Sequence, residues 1–136
     1  TMPVTMNPYL NFAGNTREAM EFYHSIFGGD LTVDTFETYG ITDMPADGVM
    51  HAALVTPDFT LMASDAMPGA EATWGGTRNY ICLGGTDEAQ LTGWFTKLAD
   101  GGNIGMPLEP QSWGATFGLC MDRYGIEWMV NVFPAS

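Results

Sequence analysis

An order of elements written twice constrains this chain more than any single motif does. Met6 to Phe12 has the β propensity of a strand, carried by Tyr9, Leu10 and Phe12. A helix follows, with Asn15 at the N-cap, Glu18 three residues on, and Ala19, Phe22, Tyr23, Ile26 and Phe27 recurring at helical spacing. Gly28-Gly29 stops it. Three strands are predicted behind the stop: Asp30 to Phe36, Val49 to Val55 and Phe59 to Ser64, the last two joined by a tight turn at Thr56-Pro57-Asp58. The second half repeats the order. Arg78 to Leu83 reads as a strand, Thr86 caps a helix with Leu91, Trp94, Phe95 and Leu98 on its apolar face, and Gly101-Gly102 ends it. Asn103 to Leu108, Thr116 to Met121 and Glu127 to Val132 are again three strands.

One such unit cannot bury both its helix face and its sheet face alone, so two of them pair around a shared core. The expectation is an α+β fold built as one domain over residues 1–136. Module one spans 6–64, a Gly-, Ala- and Pro-rich linker 65–77, and module two 78–133. Trp74 in that linker needs a place to bury its ring, either on this chain or on a second subunit. A second long connection, Glu37 to Gly48, carries Glu37, Asp43 and Asp47 and reads as an acidic solvated loop or a lid over a pocket.

A chain of 136 residues is long enough to bury about two thirds of its unfolded surface, so it needs no covalent staples. Cys82 and Cys120 lie in apolar strand-like runs and read as small buried thiols, in keeping with a reducing compartment. No basic and apolar leader opens the chain, and no apolar run approaches the roughly 20 residues of a membrane helix, so a soluble cytoplasmic protein is expected. Sixteen acidic residues against four basic ones give a formal net charge of −12. That field repels phosphate backbones, so nucleic acid is a poor partner and none is expected; it attracts cations and cationic small molecules, while solubility alone also explains such acidity.

His51 is the first candidate for chemistry. Alternation places Val49, His51, Ala53 and Val55 on one face of a strand, where a neutral imidazole can act as base, donor or lone metal ligand, or be a satisfied, partly buried histidine. His24 lies off the apolar helix face and is expected at the surface. Asp65 and Glu127 are possible companions of His51. Phe36, Met62, Trp113, Phe117, Trp128 and Met129 lie on or beside strands and suit either pocket walls or core packing. Trp113 and Trp128 are the stronger candidates because their indole N–H groups need partners. Asn11 and Asn131 can supply orienting hydrogen bonds.

Several separated motifs carry a resemblance that spans nearly the whole chain. They are Tyr9-Leu10-Asn11-Phe12-Ala13-Gly14-Asn15, Ala19-Met20-Glu21-Phe22-Tyr23 with Phe27-Gly28-Gly29, and Met50-His51-Ala52. To these are added Leu61-Met62-Ala63-Ser64-Asp65-Ala66, Trp113-Gly114-Ala115-Thr116-Phe117-Gly118 and the closing hairpin with its turn Asp122-Arg123-Tyr124-Gly125. In these the chain resembles the vicinal oxygen chelate superfamily of glyoxalases, bleomycin-resistance proteins and extradiol dioxygenases. Within it the chain resembles the PhnB-like group, often labelled 3-demethylubiquinone-9 3-methyltransferase-like.

The resemblance implies paired βαβββ modules with cupped mixed sheets, a small-molecule pocket in the cups and a homodimer. In metal-dependent members it implies a His or Gln on the first strand of a module and a Glu on the last, holding a divalent ion. The corresponding positions here are Pro8, Tyr80 and Met129, and a shift of one residue brings in only Asn79 or Trp128. None suits a hard or borderline metal. Methyl transfer is not expected either, because Gly28-Gly29 and Gly101-Gly102 follow helices and are stop signals rather than a methyl-donor turn. The sequence therefore points to a small-molecule-binding protein without metal or other cofactor. The alternatives are a lyase or isomerase of the glyoxalase kind, using His51 or a metal site of another make-up, and an accessory partner whose pocket is vestigial.

Overall fold

The computed structural model describes residues 5–74 and 79–134. The chain separates into two compact units, residues 1–75 and 76–136. In the first, strand β1 (Tyr9–Phe12), helix α1 (Thr16–Phe27) and strands β2 (Asp30–Thr35), β3 (Val49–Val55) and β4 (Thr60–Asp65) form a four-stranded sheet in the order β1-β4-β3-β2. In the second, β5 (Ile81–Gly85), α2 (Glu88–Ala99), β6 (Asn103–Pro110), β7 (Thr116–Met121) and β8 (Glu127–Val132) give the order β5-β8-β7-β6. The first and last strands of each unit run parallel and the other neighbours antiparallel, so both sheets are mixed. The expected α+β fold of two βαβββ modules is what the chain adopts. No helix among the described residues is long and apolar enough to cross a membrane.

Each sheet has a covered face and an open one, set by strand alternation. Helix α1 buries Ala19, Met20, Tyr23 and Ile26 against a sheet whose Ala52, Leu54, Leu61 and Ala63 are also buried. In the second unit Leu91, Phe95 and Leu98 of α2 are buried with Leu83, Cys120, Trp128, Val130 and Val132. Burial and then the nearby Asp122 carboxylate push the Cys120 thiol up to about 11, so it stays protonated and unreactive at neutral pH. Cys82 is exposed rather than buried, because its strand position faces away from α2.

Local chemistry moves several expected boundaries. The first strand begins only at Tyr9, and the carbonyl of Pro8 accepts a hydrogen bond from the Met62 N–H. Phe36 leaves β2 to open a 3-10 turn at Glu37–Tyr39 and is buried. The predicted strand start at Arg78 lies outside the described residues. Asn15 makes no side-chain cap, since the Asp65 carboxylate at the end of β4 accepts from the Thr16 N–H instead. Asp87 rather than Thr86 caps α2, accepting from the Gln90 N–H at 3.1 Å. A β-bulge also changes one face. Opposite β2, Asp34 pairs with His51 and Thr35 with Val49, so Met50 is extra and Val49 turns into the core while His51 stays on the open face.

The two Gly pairs do more than end helices. The second glycine of each lies against the end of a strand: a side chain on Gly29 would meet the carbonyl oxygen of Val55, and one on Gly102 the carbonyl oxygen of Met121. Val55 ends β3 and Met121 ends β7, so the close approach recurs in both units. Gly29→Ala and Gly102→Ala are each expected to lower the unfolding free energy by about 2 kcal/mol, since backbone cannot swing aside as a side chain can. Urea midpoints equal to that of the parent would show that the strand ends yield freely.

Strand β6 is the margin of the second sheet. Most of its residues are exposed, its ladder to β7 slips around Met106, and it contains Pro107 and Pro110.

Candidate functional site

The open face of the first unit is polar and organised around His51. Register aligns Tyr9 of β1 with Met62 of β4 and Ala53 of β3, and one step along aligns Asn11 with Ser64. The Tyr9 hydroxyl and His51 Nδ1 stand 3.0 Å apart in a hydrogen bond, with the two rings tilted at 31°. His51, Asn11 and Met62 therefore share one face of the sheet. Tyr9 and Ser64 join them, and sequence reasoning did not single out either. Tyr9 has the same strand parity as Asn11, the one signal that could have found it.

Phe36 lies apart from this group. It lines a separate hollow of about 270 Å³ with Met44, Pro45, Ala66 and Met67 among its walls. Asp65 reaches the same hollow, but its oxygens are engaged: Oδ1 accepts from Thr16 N–H and from Thr16 Oγ1 at 2.6 Å, and Oδ2 from the Val49 N–H at 2.9 Å. It holds the fold together and is no companion of His51. His24 is exposed, with Nε2 bonded to the Gly29 carbonyl at 3.0 Å. Trp74 is exposed within the described chain.

In the second unit the open face carries Cys82 of β5, Met129 and Asn131 of β8, and Phe117 and Leu119 of β7. Phe117 and Asn131 are direct partners, and exposed Trp113 stands edge-on to Phe117 with ring centroids 5.9 Å apart. Among the described residues, Asn131 Oδ1 is buried without a hydrogen-bond partner. A buried amide oxygen left unmatched by the fold is a specific acceptor in search of a donor. Trp128 does not belong to this face. It is 1% exposed, lies on the α2 side, and gives its indole N–H to Asp122 Oδ2 at 2.8 Å, so the expected indole partner is internal.

The positions marked by resemblance for metal ligands carry the wrong chemistry for the task. Pro8 offers no side-chain donor, Tyr80 is a phenol at the rim of a hollow, and Met129 is a thioether between Cys82 and Leu119 in the ladder. Among the described residues no three His, Cys, Asp or Glu side chains come together to hold a metal ion. Pyrrolidine, phenol and thioether do not make a chelating set for a hard or borderline divalent ion.

Known proteins share this architecture. Protein YjdN of Escherichia coli (strain K12) is 29% identical over 140 residues, covering 93% of this chain and 94% of its own length. The crystal structure of protein PA1353 from Pseudomonas aeruginosa superposes with a TM-score of 0.81 at 40% identity, covering 98% of this chain and 100% of that one. The PhnB protein of Bacillus cereus, described as a 3-demethylubiquinone-9 3-methyltransferase, superposes with a TM-score of 0.78 at 24% identity over 95% of this chain and 99% of its own, a likeness of fold alone. The model of the glyoxalase/bleomycin resistance protein/dioxygenase superfamily matches residues 5–130. With nearly the whole chain inside that match and the paired βαβββ units in place, the protein belongs to the glyoxalase/bleomycin resistance protein/dioxygenase superfamily.

Proposed function

We propose that this protein binds a small molecule on its open sheet faces without a chelated metal, acting as a homodimer in the cytoplasm. The observation that carries the reading is the donor set at the three expected metal positions, Pro8, Tyr80 and Met129, which leaves no chelate for vicinal oxygens. The faces themselves suit ligand binding. Asn11, Met62 and His51 line one, and Phe117, Asn131 and Trp113 the other, giving apolar area with a few polar groups to orient a guest. Free cysteines support a reducing compartment, and exposed Tyr39, Met67 and Trp74 offer apolar surface for a second copy. Glycines before α2 do not alter the expectation of no methyl transfer: Gly84 and Gly85 are paired with β8 inside the sheet.

A second reading is favoured by one specific contact. In the tautomer with Nδ1 protonated, His51 donates to the Tyr9 oxygen and leaves the lone pair of Nε2 available as a base, the arrangement a lyase or isomerase needs. The two readings part in one experiment. Protein purified without a metal-binding tag is expected to contain well under one equivalent of nickel, zinc, manganese or iron. Small-molecule quenching of its fluorescence is expected to depend on Trp113. Stoichiometric metal that disappears in His51→Ala would overturn the metal-free reading.

A further inference from the structure

We infer that the open face of the second unit seats a flat, neutral aromatic ring with a lactam edge, which the Asn131 side-chain amide recognises. This deepens the small-molecule reading above and rests on it. The floor of the seat is a row across three strands, in which Gly84 of β5 and Phe117 of β7 each stand directly beside Asn131 of β8. Aromatic rings flank the amide on both sides. Exposed Trp113 stands edge-on to Phe117, carried by a turn in which the Gln111 N–H donates to the Ala115 carbonyl at 2.8 Å and the Gly114 N–H to the Gln111 carbonyl at 3.1 Å. On the other side Phe133, 48% exposed, lies over Gly84, where a side chain would come within 3.3 Å of its ring. The bare glycine makes room for the ring, and the Phe133 N–H anchors it by donating to the Gly85 carbonyl at 2.7 Å.

Between those rings the amide is unsatisfied. Its buried oxygen has no partner among the described residues, a costly state that a donor on a guest relieves. The same amide carries N–H donors beside that acceptor. A ring that presents an N–H next to a carbonyl answers both, through two parallel hydrogen bonds to one side chain. A guest with only the carbonyl leaves the oxygen as it was. The flanking rings decide the rest of the guest. Trp113 and Phe133 are exposed, so they can turn aside to open a way to the oxygen and then cover the faces of a flat ring by stacking or edge-on contact. The row carries no charged side chain and the chain as a whole is at −12, so a neutral guest enters more readily than an anion.

The test uses the full chain, labelled with 15N and titrated with 2-quinolone, with 1-methyl-2-quinolone as the analogue whose donor is blocked. 2-Quinolone is expected to shift the backbone amides of Phe117 and Asn131 and the side-chain NH2 signals of Asn131 saturably, and the methylated compound to bind more weakly on the order of tenfold. Asn131→Ala is expected to bring 2-quinolone down to the affinity of the methylated compound. Trp113→Ala is expected to weaken both compounds several-fold and alike, because it removes ring contact and no hydrogen bond. Both variants show by their spectra that they are folded. Equal affinity for the two compounds in the parent protein overturns the assignment, as does full 2-quinolone affinity in Asn131→Ala. Saturable shifts confined to the Tyr9 and His51 face overturn it too, while leaving the small-molecule reading intact. The absence of any saturable shift with 2-quinolone also overturns it, and the fluorescence measurement on Trp113 described above decides the broader reading separately.

Discussion

Asp122→Ala is expected to cost about 4 kcal/mol of stability, roughly twice the loss at either Gly29 or Gly102. Asp122 is 2% exposed, and both of its carboxylate oxygens accept hydrogen bonds in the closing hairpin. Oδ1 accepts from the N–H groups of Tyr124 at 2.8 Å and Ile126 at 3.1 Å, and Oδ2 accepts from the Trp128 indole at 2.8 Å. Each bond to a charged acceptor is worth about 1.5–3 kcal/mol, but the three are not additive, and exposed Gly125 beside them lets water reach part of the turn. The indole is the costly partner. Trp128 is buried under α2, where no water replaces the lost acceptor, so most of the penalty follows from its orphaned N–H. Asp122→Asn, which keeps acceptor capacity but loses the charge, is expected to cost about half as much. Urea unfolding followed by far-UV circular dichroism measures both. A loss under about 1 kcal/mol for the alanine variant would mean that the desolvation of the carboxylate cancels its bonds.

Asp65→Ala is expected to cost about 3 kcal/mol by a parallel route in the first unit. One carboxylate there joins three elements: β4, which carries it, the first residue of α1, and the first residue of β3. It serves as the missing cap of α1, adding a favourable charge at the positive end of the helix. Thr16, fully buried, has its hydroxyl fixed by the same oxygen. Because Asp65 is only half-buried, water can reclaim some of the donors, which places its effect below that of Asp122. Thr16→Val combined with Asp65→Ala is expected to cost distinctly less than the sum of the two alone, by about 1 kcal/mol or more. Strict additivity would show that the two side chains do not share one network.

The repeat was legible because it is written in local chemistry. Strands β3, β7 and β8 begin and end where their apolar runs do, and both helices follow from spacing and from the glycines behind them. What escaped the sequence depends on residues far apart along the chain. Asn15 looks like a cap, but Asp65 takes the position from 49 residues away. Alternation alone would keep Val49 beside His51, and only the bulge against β2 separates them. Trp128 and Met129 are neighbours on opposite faces, so a choice of one residue decides which side of the sheet receives the indole. The Tyr9–His51 contact was invisible for the same reason. It exists because β4 lies between β1 and β3, an order that no property of either residue announces.

The margin of the second sheet bears on how the protein behaves when crowded. An open strand edge is a template on which another chain can extend the ladder, the first step towards fibrous aggregates. Strand β6 makes a poor template. Pro107 and Pro110 have no N–H to donate, and the irregular step around Met106 breaks the even spacing an incoming strand would need. The backbone beside the exposed Ile104 and Met106 thus works against extension of the ladder along this edge.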